Sequence, residues 1–111
     1  MVSKENYCKA EEIGLSEIDL NKIRTVFSVI ENIDQVLLYG SRAKGDFKTY
    51  SDIDITLKGE NLVLDTQFKV VEALDELYLP YTFDVSISSH INNSGLLDHI
   101  ERVGLVIYQK A

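Results

Sequence analysis

The chain has 111 residues, 45% hydrophobic and 26% charged, enough for one hydrophobic core and too few for two domains. Its formal charge of −7 argues against broad electrostatic binding of free nucleic acid, which needs a basic face to displace counterions from phosphates. A lone Cys8 cannot form an intramolecular disulfide, no apolar run approaches the ~20 residues of a membrane span, and no signal-peptide pattern opens the chain; a soluble cytoplasmic protein with no membrane partner is expected.

Residues 1–14 lack sustained periodicity and are read as an N-terminal arm or short helix, with residues 15–111 as the single domain. Over 16–32 the apolar residues Leu20, Ile23, Val26, Phe27 and Ile30 recur at helical spacing. Ser16 is placed to cap this helix, Asp19 to sit in its first turn and Leu15 to staple it. Val36, Leu37, Leu38 and Tyr39 form a continuous apolar run stopped by Gly40, which predicts a strand buried on both faces.

A polar, glycine-punctuated segment follows, over 40–51, carrying Arg42, Lys44 and Lys48. Residues 52–57 then alternate strictly: Ile53, Ile55 and Leu57 point to one face, Asp52, Asp54 and Thr56 to the other. Residues 65–78 read as a helix with an apolar face of Phe68, Val71, Leu74, Leu77 and Tyr78, and Pro80 forbids its continuation. Residues 81–88 alternate again, placing Tyr81, Phe83, Val85 and Ile87 inward and Thr82, Asp84, Ser86 and Ser88 outward. A last helix, capped by Asn93 or Ser94 and ended by Gly104, leads into a closing strand over 105–108.

The expected architecture is α/β, strictly α+β: a mixed sheet of about four strands, helices packed on one face and the carboxylate face left open.

Two carboxylates one residue apart on a strand project from the same face and can grip a hard cation such as Mg²⁺. Alone, such a pair more often marks a solvated strand face. The segment before it shifts the balance: a glycine directly after a buried strand lets backbone approach a ligand, and a serine hydroxyl with nearby N–H groups can cradle a phosphate. Arg42, Lys44 and Lys48 add local positive charge suited to a triphosphate, although each taken singly reads as a solvated loop residue.

Gly40-Ser41, ten intervening residues, Asp52-Ile53-Asp54, and Asp84 on a later strand resemble the signature of the DNA polymerase β-like nucleotidyltransferase superfamily. The stretch Gly40-Ser41-Arg42-Ala43-Lys44-Gly45 followed by Ser51-Asp52-Ile53-Asp54 looks most like its minimal nucleotidyltransferases. The resemblance implies that Asp52, Asp54 and Asp84 ligate two Mg²⁺ ions, with Asp84 also placed to accept a proton from the attacking hydroxyl. It implies that Gly40, Ser41, Arg42, Lys44 and Ser51 bind the nucleotide, Ser41 and Arg42 at the β- and γ-phosphates. The implied reaction is attack of an acceptor hydroxyl on the α-phosphorus of ATP with release of pyrophosphate.

Larger relatives hold their acceptor with a further domain for which this chain has no room, so a partner is expected to present it. Many minimal nucleotidyltransferases are encoded beside a helical HEPN-domain toxin that they neutralise, in characterised pairs by adding AMP to a tyrosine. The resemblance therefore implies an antitoxin that adenylylates its partner. Two other readings stay open: an antitoxin that only binds, and the catalytic chain of an antibiotic nucleotidyltransferase whose second subunit is separate. A homodimer is also left open.

His99, beside Asp98, Glu101 and Arg102 on the last helix, and His90 in a serine-rich turn read as surface residues. Cys8 has no base near it in sequence. Tyr7, Tyr39, Tyr50, Tyr78, Tyr81 and Tyr108 read as packing residues, with Tyr50 near the mouth of the site.

Overall fold

Alternation with period two gives the sheet its two chemically different faces, and the order in which its strands pair decides which polar residues meet. The computed structural model describes residues 8–111; Tyr7 and the first half of the 1–14 arm lie outside them. In chain order the elements are a 3₁₀ turn (Ala10–Ile13), α1 (Glu17–Ser28), β1 (Gln35–Tyr39), α2 (Gly40–Lys44), β2 (Ile53–Lys58), α3 (Leu64–Asp75), β3 (Phe83–Ile87), a second 3₁₀ turn (Ser88–His90), α4 (Ser94–Val103) and β4 (Leu105–Gln109). The four strands form one sheet in the order β3-β2-β1-β4. β1 runs antiparallel to both β2 and β4, and β2 runs parallel to β3, so the mixed α+β sheet is as expected.

The parallel pair requires a crossover, and α3 supplies it. On the apolar face Ile53, Ile55 and Leu57 of β2 join Val36 and Leu38 of β1 and Val85 and Ile87 of β3, with Leu20, Ile23 and Phe27 of α1 and Val70 and Leu74 of α3. Ser16 caps α1 by accepting from the Asp19 amide at 3.1 Å, and Asn93 caps α4 by accepting from the Leu96 amide at 3.0 Å. The residues just upstream belong to the same core: Ala10, Ile13 and Leu15 are buried. No helix among the described residues is long and apolar enough to cross a membrane.

Three features differ from the pattern. The segment after β1, read from sequence only as polar and glycine-punctuated, begins with the five-residue helix α2, because Gly40 takes φ +77 and turns the chain at once into helical geometry. Helix α3 ends at Asp75, short of the expected Tyr78, which is 89% exposed; Leu74 is buried and Val71 and Leu77 pack against the core as expected, while Phe68 is 61% exposed and Thr66 and Val70 are buried as well. The first turn of α3 is held by the Val63 amide, which donates to Thr66 Oγ1 at 3.3 Å, and is tied to β3 by Gln67 Nε2, which donates to the Val85 carbonyl at 2.6 Å. Thr56, expected on the wet face, is 0% exposed and its hydroxyl has no hydrogen-bond partner among the described residues.

Helices α1 and α3 pack together, whereas α4 packs against β1 and α2. That placement brings one side of α4 to the end of the sheet where the carboxylates lie.

Candidate nucleotide and metal site

Register assembles the site. Asp54 of β2 pairs with Asp84 of β3 on one side and with Tyr39 of β1 on the other, so two carboxylates and a phenol stand side by side at strand spacing, ~4.8 Å. Asp52 immediately precedes β2, where the Ile53 amide donates to the Thr82 carbonyl at 2.9 Å and anchors the start of the strand pair. Asp52 and Asp84 are exposed and Asp54 is half-buried.

Three negative groups this close disfavour one another. Burial raises the Asp54 pKa above its ordinary value, the charges of Asp84 and then Asp52 raise it further, and His99 opposes them. Tyr39 is also pushed up, first by burial; a Ser86 hydrogen bond opposes the shift, while the charges of Asp84 and Asp54 add to it.

Gly40 lies directly against Asp54. A Cβ at position 40 would collide with Asp54 Oδ2, and φ +77 is strained for any side chain. Only glycine lets the chain leave β1 while keeping the Asp54 carboxylate where it is. Ser41 follows, half-buried in the first turn of α2.

Arg42 requires a correction. Expected at the phosphates, it is 1% exposed and engaged with backbone carbonyls. Its Nε donates to the Ser51 carbonyl at 3.0 Å, Nη1 to Ile13 at 2.8 Å and Gly14 at 3.4 Å, and Nη2 to Ser51 at 2.9 Å and Thr49 at 3.3 Å. The guanidinium carbon lies 5.4 Å from the Phe47 ring centroid and 5.2 Å from that of Tyr81, a stacked arrangement that compensates desolvation of a cation. Burial lowers its pKa, opposed by Tyr81 and then Asp52. With its five N–H donors engaged, Arg42 has none left for a phosphate; it ties the N-terminal turn and α2 to the segment that leads into Asp52.

The neighbouring residues divide in the same way. Ser51 Oγ accepts from the Lys48 amide at 2.8 Å, and the Ser51 carbonyl serves Arg42, so Ser51 shapes the loop. Lys44 is half-exposed and pairs with Asp46 at 3.4 Å, an exposed pair of small energetic weight that a ligand phosphate can replace. Tyr50 is 91% exposed beside them.

His99 also departs from expectation. While Asp98 pairs outward with Arg102 at 2.8 Å, His99 is half-buried, accepts the Gly40 N–H through Nε2 at 3.1 Å and meets the Tyr39 ring edge-on at 6.2 Å. Its polar neighbours on α4 masked it in the sequence, where nothing distinguishes it from a surface histidine. His90 is exposed. Cys8 is half-buried, and desolvation raises its thiol pKa, the opposite of what a nucleophilic thiolate needs.

An oxygen-only donor set with mutual repulsion suits a hard divalent cation, whose charge relieves that repulsion. Among the described residues no group of three or more His, Cys, Asp or Glu side chains is gathered closely enough to hold a metal ion. Asp54 and Asp84 stand side by side, and Mg²⁺ is commonly held by one or two carboxylates together with substrate phosphates and water.

The family model for polymerase β nucleotidyltransferases matches residues 21–111, from α1 to the end of β4. No curated protein matches by sequence. Among solved structures, a toxin–antitoxin complex with AMP-PNP contains a chain that superposes with TM-score 0.65 at 18% identity, covering 86% of this chain and 75% of its own. A chain in the complex of a tri-AMPylated Shewanella oneidensis HEPN toxin with an MNT antitoxin gives TM-score 0.64 at 17% identity, covering 85% and 72%. A candidate nucleotidyltransferase from Sulfolobus solfataricus gives TM-score 0.54 at 21% identity, covering 96% and 93%. At these identities the three likenesses establish the shared fold.

Proposed function

The chain belongs to the polymerase β nucleotidyltransferase family, and from that membership we propose that it transfers AMP from ATP to a hydroxyl of a helical HEPN-type partner, acting as the antitoxin of the pair. The observation that carries the reading is the register of Asp54 with Asp84, with Gly40 packed against the Asp54 carboxylate: a carboxylate edge and a glycine turn in contact. Two of the fold neighbours are toxin–antitoxin complexes, one of them containing AMP-PNP and the other an AMPylated HEPN toxin, which supports both the donor and the class of acceptor.

Asp52, Asp54 and Asp84 would hold two Mg²⁺ ions, which supply positive charge to the attacking and leaving oxygens of an in-line displacement. Gly40 leaves room for the triphosphate to approach the backbone, and Ser41 offers its hydroxyl to the β- and γ-phosphates. Lys44 exchanges Asp46 for a phosphate oxygen. Asp84, exposed on the outer strand of the pair, accepts the proton of the acceptor hydroxyl within hydrogen-bond reach. Arg42 and Ser51 act on the nucleotide only by holding the loop that places Asp52.

The test is mass spectrometry of the protein mixed with Mg²⁺, each of the four nucleoside triphosphates and its co-encoded helical neighbour, beside Asp54→Asn. We expect the neighbour to gain one or more AMP with ATP and wild-type protein, and at least ~100-fold less with the variant, the scale set by losing an electrostatic transition-state contact. Tight complex formation with no mass gain would overturn the transferase reading and leave a binding antitoxin. In a parallel reaction with an aminoglycoside added, mass gain by the antibiotic instead of the neighbour would transfer the site to antibiotic modification.

A further inference from the structure

The turn that opens α2 is held from two sides. Asp54 occupies the space beside the Gly40 Cα, and His99 takes the Gly40 N–H at 3.1 Å. The second contact comes from a helix 59 residues further along the chain, so it is a tertiary device rather than a local cap. Other polar residues of α4 face water, with Asp98 and Arg102 paired there and Glu101 exposed; His99 turns inward and rests on Tyr39, the register partner of Asp54.

We propose that His99 is a positioning residue for the nucleotide site: by accepting the Gly40 amide proton it fixes the left-handed turn that presents Ser41 to the phosphates, and joins α4 rigidly to that turn. The proposal rests on the nucleotidyltransferase reading of Gly40 and Ser41.

The chemistry is specific. To accept through Nε2, the imidazole must be neutral with its proton on Nδ1. A left-handed turn with its amide unpaired can exchange conformers, and a phosphate then binds only the fraction of molecules in the competent one. His99 therefore contributes to affinity for the triphosphate without touching it.

The experiment uses two variants and two readouts. Glutamine can place Oε1 at about the reach of imidazole Nε2 and so preserve an acceptor, whereas leucine keeps bulk and removes it. Hydrogen exchange of the Gly40 amide, followed by NMR without any nucleotide, reports the contact itself. Titration with AMP-PNP in the presence of Mg²⁺ reports its consequence, with thermal unfolding as a check that both variants are folded.

For His99→Leu we expect Gly40 exchange to accelerate about tenfold or more and the AMP-PNP dissociation constant to rise about tenfold, as for one lost hydrogen bond. His99→Gln should stay within about threefold of wild type in both. Unchanged Gly40 exchange in His99→Leu overturns the proposal, as does faster exchange with unaltered AMP-PNP affinity. Failure of glutamine to restore either readout assigns the effect to ring packing on Tyr39 and equally overturns it. If Gly40 exchange responds as expected while wild-type protein does not bind AMP-PNP, the nucleotide-site reading fails and the positioning role falls with it. The exchange measurement separates that failure from the loss of the contact itself.

Discussion

Asp54 sits where burial and two neighbouring carboxylates all oppose its ionisation, and its contribution to stability follows from that sign. A carboxyl whose folded pKa exceeds its unfolded value favours the fold while protonated, and this advantage is lost as pH rises through the folded pKa. At neutral pH, without cations, the ionised Asp54 therefore costs stability. Asp54→Asn should unfold at a higher temperature than wild type at pH 7 in EDTA, and the difference should vanish below about pH 3, where both carry a neutral side chain. Thermal scans across this range check it; an Asn variant less stable at pH 7 would mean that the Asp54 charge is held by favourable contacts. If the proposed site holds Mg²⁺, the ion should raise the unfolding temperature of wild type more than that of the variant, since a ligand that binds only the folded state stabilises it.

Among the elements, α3 shows how a hydrophobic pattern can misplace single residues. Its sequence offers an apolar stripe through Phe68, Val71, Leu74, Leu77 and Tyr78; Leu74 is buried and Val71 and Leu77 pack against the core, but Phe68 is exposed and Tyr78 lies beyond the end of the helix. Leu74 is 1% exposed and Phe68 61%. Leu74→Ala should therefore cost ~2–5 kcal/mol through lost burial and a cavity under the β2–β3 pair, whereas Phe68→Ala should stay within ~0.5 kcal/mol. Urea denaturation of the two variants distinguishes the faces: equal and large losses would restore the stripe read from periodicity. The strands were easier to read, because the apolar residues of β2 all stay on the core face once the register is set, and a slip by one would expose all three.

For the whole molecule, Arg42 is the central tie. It connects the carbonyls of Ile13 and Gly14, upstream of α1, to those of Thr49 and Ser51, directly before Asp52, with Phe47 and Tyr81 on its faces. Gly14 completes this joint, since a Cβ there would strike the Phe47 ring and Arg42 Nη1. Lysine cannot reproduce five directed donors, and leaving two or more buried carbonyls unpaired costs ~1–3 kcal/mol each. Arg42→Lys should thus destabilise the domain by at least ~2 kcal/mol, read from chemical denaturation. A variant of wild-type stability with weakened nucleotide affinity would return Arg42 to the phosphates. The upstream segment is bound into the domain through this joint, as the burial of Ala10 and Ile13 also shows.

Local physical chemistry was enough to read α1, α3, α4 and the four strands, the apolar face of β2 and β3, and the spacing of Gly40, Ser41, Asp52, Asp54 and Asp84, because side-chain periods of 2 and 3.6 and the stops imposed by glycine and proline act over a few residues. Only the tertiary structure decided which donors point at the site. Arg42 and Lys44 are alike in sequence, but one is enclosed by carbonyls from residues 13, 14, 49 and 51 and the other remains at the surface. His99 and Asp98 are adjacent on one helix, and the packing of α4 against β1 and α2 turns the first toward Gly40 while the second faces solvent. A side chain's period tells which way it leaves the backbone. Its partners are set by which distant carbonyl or amide the completed fold brings within ~3 Å.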